Sequence, residues 1–138
     1  MTFSLTPAYR RIEKPWGFEV IFTSEGERHT GKLLFLLAGK RLSLQYHDAK
    51  EEIICLQSGR AVIWLEDEAG EVRHLPMEPL KGYAVRLNQK HRLEALDDSW
   101  FVEVSDPEKG NTVRLSDDYA RPTETEELRS RPDRGWGS

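Results

Sequence analysis

A chain of 138 residues can build one domain with a real core and is too short for two ordinary ones. Its 38% hydrophobic and 32% charged residues, with mean hydropathy −0.64, describe a small globule with a wet surface. A net charge of −4 and a pI near 5.6 speak against nucleic acid as the main partner, and no apolar run approaches the ~20 residues of a membrane span. The single cysteine, Cys55, leaves no intramolecular disulfide and fits a reducing compartment. The opening MTFSLTPAYRR lacks the basic-then-apolar order of a secretory leader, so a cytoplasmic protein is expected.

Along the chain, residues 1–18 hold Pro7, Pro15 and Gly17 and read as an extended N-terminal arm. Short strands are then predicted over Glu19–Phe22, Gly31–Leu37, Leu42–Tyr46, Ile53–Ser58, Arg60–Glu66, Val72–Leu75, Tyr83–Leu87, Arg92–Leu96 and Trp100–Ser105, separated by Gly-, Asp- and Pro-bearing turns. This spacing predicts an all-β barrel or sandwich covering residues 19–121 with its flanking segment. Lys32–Leu37 is apolar at nearly every position; its length and flanking glycines favour a strand buried on both faces. Residues 122–138 are a polar C-terminal tail. Thr123-Glu124-Thr125-Glu126 offers a capping box for one or two helical turns, with no apolar stripe to hold them and disorder expected at the last few residues.

Candidate chemistry concentrates between Gly39 and Gly59. Gln45, His47 and Glu52 lie within eight residues, and Gln45 and His47, two apart on a strand, share one face. His91 follows in a later strand-like region. Taken singly, each is more simply a solvated or hydrogen-bonded side chain. Together they form a mixed N/O donor set suited to Zn, Mn, Fe, Co or Ni, with positions left open for water or substrate.

The stretch reads G-x5-Q-x-H-x4-E-x6-G and resembles the first signature of the cupin superfamily, with Gln45 in place of the usual first histidine; His91 falls where the second signature supplies its own. The surrounding R-L-S-L-Q-Y-H-x3-K-E-E-I-I-C-L-Q-S-G resembles the C-terminal cupin domain of type II mannose-6-phosphate isomerases. So do Lys14-Pro15-Trp16-Gly17, His91-Arg92-Leu93-Glu94-Ala95, Glu103-Val104-Ser105, and Val113-Arg114-Leu115 before Asp117-Asp118-Tyr119-x-Arg121. The resemblance implies a single jelly-roll-like cupin barrel, binding one divalent metal with Gln45, His47, Glu52 and His91, and pairing as a homodimer in which the arm covers an edge strand.

It further implies a metal-dependent aldose–ketose isomerase acting on a sugar phosphate or related polyhydroxy compound, with Arg114 orienting or stabilising the substrate. Arg114 in a surface ion pair with Glu103 or Asp117 is the plainer alternative. A phosphoryl group calls for cations at the barrel mouth, and Lys14, Arg41, Lys50 and Arg92 lie in or beside the matching motifs. Two departures stand out. Asn88-Gln89-Lys90 leads into His91 where cupins use a P-x-G turn, and Gly110-Asn111 stands where the isomerases carry paired acids. A cupin oxygenase or lyase, and a non-catalytic carbohydrate-binding cupin, therefore stay open, and no carboxylate stands out as general base. Cys55 reads as a small buried hydrophobe, Trp16 as a pin for the arm, and His29 and His74 as exposed.

Overall fold

The computed structural model describes residues 3–136. Eleven strands run in chain order: β1 (Arg10–Lys14), β2 (Gly17–Ile21), β3 (Thr30–Leu36), β4 (Leu44–His47), β5 (Glu52–Ser58), β6 (Ala61–Glu66), β7 (Val72–Pro76), β8 (Gly82–Val85), β9 (His91–Ala95), β10 (Ser99–Ser105) and β11 (Thr112–Ser116). One short helix, α1 (Glu126–Arg129), follows. The strands form two antiparallel sheets, ordered β1-β2-β3-β10-β5-β8 and β11-β4-β9-β6-β7. Within the second sheet, β4 and β9 share a single register pair, Gln45 with His91.

Strand parity decides what lies inside. Alternate residues of a strand face opposite ways, so each strand contributes one inward row. Lys32, Leu34 and Leu36 form the row of β3, Glu52, Ile54 and Leu56 that of β5, and His91, Leu93 and Ala95 that of β9; all nine are buried. Each row begins polar and ends apolar. The barrel therefore has an apolar end, filled by Leu36, Leu56, Ile63, Leu93, Ala95 and Phe101, and a polar end where the first residues of these rows meet. A fully buried side chain such as Leu36 or Leu93 contributes about 1.5–3 kcal/mol through removal from water.

Three expectations need correction. Residues 10–14, read as part of an extended arm, form β1 and hairpin back onto β2 through Pro15 and the buried Trp16. Gly17 is required there: it has φ +149°, and a Cβ would collide with the Phe35 carbonyl. Lys32–Leu37 is not buried on both faces, because Leu33 and Phe35 are half-buried on the outer side of the sheet and Leu37 is exposed. The tail does not stay free. Residues 122–136 return across the polar end, Thr112 and Glu124 bond backbone to backbone, and the buried Arg121 guanidinium donates to Gly135 O at 3.1 Å. Helix α1 forms as expected, but its cap is Thr125, whose hydroxyl accepts from Leu128 N, rather than Thr123. Residues 137 and 138, where disorder was expected, lie outside the described residues.

Outward from the first sheet, Phe18, Phe35 and Trp100 pack with ring centroids 4.9–5.5 Å apart. Val102, the half-buried Cys55, and the exposed Ile53 and Val104 extend this apolar face. Among the described residues no helix is long and apolar enough to cross a membrane.

Candidate metal centre

The polar end of the barrel encloses a cavity of about 70 Å³ lined by Gln45, His47, Lys50, Glu52, His91 and Glu103, with Lys14, Lys32 and Arg114 among the groups toward its mouth. β4 brings Gln45 and His47 inward, β5 starts with Glu52, and β9 starts with His91, so three different strands converge on one point. The ligand atoms of His47, Glu52 and His91 lie within 4.8 Å of one another, and all three side chains are buried.

Glu52 Oε1 stands 3.1 Å from His47 Nε2 and 3.0 Å from His91 Nε2. His91 Nδ1 donates to the Gln89 carbonyl at 2.9 Å, which only an N–H can do. A neutral His91 then has a bare Nε2, and this buried nitrogen finds no hydrogen-bond partner although the carboxylate oxygen is near. With Nε2 unprotonated, two lone pairs face each other there, an arrangement relieved by a cation between them, either a metal ion or a proton on Nε2. His47 Nδ1 shares a hydrogen bond with the Thr112 hydroxyl at 3.0 Å, which orients the ring and leaves its Nε2 toward Glu52. Burial pushes the His47 imidazole down to about 4, outweighing the pull of Glu52, so it stays neutral at pH 7 as a metal ligand must be. Burial alone would raise Glu52, but His47, His91 and Lys50 together outweigh it and hold the carboxyl well below the ordinary range. Two imidazoles and one carboxylate fit a divalent transition-metal ion.

Gln45 is the register partner of His91 and lines the same cavity. Its Oε1 accepts from Ser43 Oγ at 2.5 Å and retains a second lone pair. Lys50 is buried with Nζ 3.9 Å from Glu52 Oε2. Lys14 is buried beside Glu19 at 3.6 Å. Arg114 is opposite Gln45 in the β11–β4 register and so turns inward. Its Nη1 donates to Pro122 O at 2.7 Å, its Nη2 lies 4.0 Å from Glu124, and its Nε is buried without a hydrogen-bond partner. The anion beside Arg114 is thus Glu124, while Asp117 pairs with Arg121 at 2.9 Å.

Arg41 and Arg92 are not brought to the cavity. Arg92 follows the inward-facing His91 by one residue and points the other way, donating to Leu42 O and Ser116 O and stacking on Trp64, whose other neighbour is His74. Arg41 forms a two-bond pair with Asp118. Parity from His91 would have placed Arg92 outside. Glu103, Glu19, Lys32, Glu108, Glu124, Arg129 and Arg134 also line the cavity and carried no sequence signal beyond strand parity for the first three. Burial, and then the neighbouring Glu52 charge, push the Glu103 carboxyl up to about 8.

The Gly110-Asn111 departure has a structural cause. Gly110 has φ +67°, and a Cβ there would overlap Asp48 and Ala49. Asn111 donates through N and Nδ2 to the two oxygens of Asp48, at 2.7 and 2.9 Å. The pair clamps the loop after His47 instead of presenting acids.

No protein-family profile matches the chain, and no curated protein sequence matches it. Solved structures do. Oxalate decarboxylase from Bacillus subtilis, a protein with Mn(II) centres, superposes with a TM-score of 0.65 at 18% identity, over 77% of this chain and 30% of its own. The capsular polysaccharide assembling protein CapF from Staphylococcus aureus gives a TM-score of 0.64 at 16% identity, over 89% of this chain and 32% of its own. KdgF from Halomonas sp. gives 0.59 at 18% identity, over 74% and 87%. The chain spans about a third of the length of the first two. At such identities the likeness speaks for fold, and with the geometry above it gives a cupin β-barrel whose buried His47, Glu52 and His91 can hold one metal ion.

Proposed function

We propose that the protein is a metal-dependent cupin enzyme acting on a small anionic polyhydroxy compound, with aldose–ketose isomerisation of a sugar phosphate as the reaction. The observation that carries the metal reading is the bare His91 Nε2 held against the Glu52 carboxylate. A bound divalent ion would polarise a carbonyl and the adjacent hydroxyl and stabilise the negative charge of an enediol. Gln45, His47, Glu52 and His91 would hold it.

The chain's own groups supply the rest. Arg114 has a buried, unpartnered Nε–H with which to orient a substrate oxygen. Lys14 and Lys50 supply positive charge for the anionic end of the substrate. Proton transfer between adjacent carbons needs a base facing the cavity, and Glu103, on the strand beside Glu52, is placed for it. Lys32 stands directly opposite Glu103 in the β3–β10 register, so the carboxyl has a cation beside it when it ionises.

A cupin lyase acting on a small carboxylate is the second reading. The small cavity with its surplus of cations favours it, as does the fold shared with oxalate decarboxylase. Metal analysis of the purified protein, dialysis against chelator, and a panel of sugar phosphates and short carboxylates test both. Turnover of a sugar phosphate that disappears with the metal and returns on reconstitution supports the isomerase. Release of carbon dioxide from a carboxylate selects the lyase, and full activity after complete metal removal overturns both.

A homodimer is also proposed, joined through the apolar outer face built on Phe18, Phe35 and Trp100, where a second copy buries what a single chain leaves in water.

A further inference from the structure

Two hollows meet at one wall. Inside lies the 70 Å³ metal cavity; outside, between the β2–β3 turn and the returning tail, lies an open hollow of about 690 Å³. The first has room for about two waters, whereas ligand pockets run to several hundred Å³. Glu108, Arg129 and Arg134 line both, so the partition between them is a layer of ion pairs about one side chain thick.

Glu108 is the hub of that layer. Its carboxylate pairs with Lys32, accepts from Arg134 Nη1 and Nη2 at 3.1 and 3.2 Å, and lies 3.7 Å from Arg129. Glu19, Glu124 and Glu103, the last opposite Lys32, are further carboxylates there, and Lys14 and Arg114 are further cations. Arg134 is almost wholly buried, yet its Nε has no hydrogen-bond partner. A buried guanidinium with an unused N–H, on the wall between two hollows, offers a donor to one more oxyanion. Glu108 itself sits on the short β10–β11 connection, between Pro107 and the clamped Gly110-Asn111, and no strand ladder holds it in place.

We propose that Lys32, Arg129 and Arg134 form an oxyanion subsite at the entrance to the metal cavity, with Glu108 as a built-in stand-in that a ligand's carboxylate or phosphate displaces. The subsite deepens the reading of an anionic substrate given above, but its test needs no metal and no turnover. Ligand lying in the outer hollow exchanges its anionic group for Glu108, and the partition opens as that exchange takes place.

The test is calorimetric titration of chelator-treated protein with inorganic phosphate and, separately, with acetate. Glu108→Gln keeps the side chain's size and removes its charge, and is expected to bind phosphate about tenfold more tightly than the native protein, the equivalent of about 1.4 kcal/mol. Arg134→Gln is expected to lose that binding. Stronger gain for phosphate than acetate assigns the subsite to phosphoryl groups, and the reverse assigns it to carboxylates. Equal or weaker binding of both anions by folded Glu108→Gln overturns the proposal. Should Glu108→Gln fail to fold, hydrogen exchange of the native protein decides: phosphate should speed exchange of the amides at 106–111, and unchanged or slower exchange overturns the idea. Metal content, measured separately on the same preparations, shows whether the metal reading stands or falls on its own account.

Discussion

At the scale of single residues, the polar end of this barrel is a set of charges and lone pairs that only partly satisfy one another. His91 is the clearest case, since its Nδ1 is committed to a carbonyl and its Nε2 faces a carboxylate. His91→Ala should abolish metal retention, and Gln45→Ala should weaken it by about 10- to 100-fold, both read by metal content after dialysis. Acid should release the metal too. His47 is held down at about 4 against an ordinary 6.5, so its contribution to stability is present above about 6.5 and lost as the pH falls toward 4. Glu19 gives a separate acid limb. Burial would raise its carboxyl, but Lys14, Lys32 and Arg134 outweigh this and hold it at about 2. Its contribution, about 3 kcal/mol, is therefore present above the ordinary value of 4.5 and lost as the pH falls toward 2. Glu19→Gln should lower stability at pH 7 by that order and flatten the acid limb of a denaturation profile. A profile as steep as the native one would show that Glu19 is not the group responsible.

At the scale of elements, the strand list was largely legible because hydrophobic alternation and turn residues agree over the middle of the chain. β5, β6 and β10 appear within a residue of where their patterns place them. β1 and β11 were not legible, for a physical reason: RRIEK and TVRLS are polar strands that bury one or two side chains and owe their place to a neighbour rather than to their own pattern. The ligand spacing in β4, β5 and β9 was legible because strand parity fixes which side chains share a face. Arg92 shows the same rule ignored. Lys14 and Arg114 were legible as candidates, whereas Glu108, Glu124, Arg129 and Arg134 were not, because they come from a segment without periodicity that is held by ion pairs. Gly110 is the element-scale test of that segment. Gly110→Ala combines a left-handed backbone with overlap on Asp48, and should lower stability by about 1–3 kcal/mol, seen as a lower midpoint in denaturant.

For the whole molecule, the outer face of the six-stranded sheet carries a half-exposed aromatic group, Phe18, Phe35 and Trp100. Trp100→Asp places a charge in the middle of the aromatic group, and should convert a dimer to a monomer in sedimentation while leaving metal content at one per chain. A native protein that sediments as a monomer at working concentration would remove the dimer from the reading. Together, a small polar cavity with a mouth rich in ion pairs and a half-exposed aromatic sheet face describe a cupin-fold barrel with its polar end opposite its apolar core.

The seam between β4 and β9 has a consequence in time rather than in structure. These strands share one register pair, and that pair carries Gln45 and His91. The chain leading into β4 continues the pairing, Leu42 N to Leu93 O and Gly39 N to Ala95 O, so a bound ion would add one more link at the ligand end of this seam. Without it, the barrel should open first along this line, in a partial unfolding that leaves the apolar end intact. Amides of β4 and β9 should then exchange much faster after chelation, with those of β3 and β10 little changed.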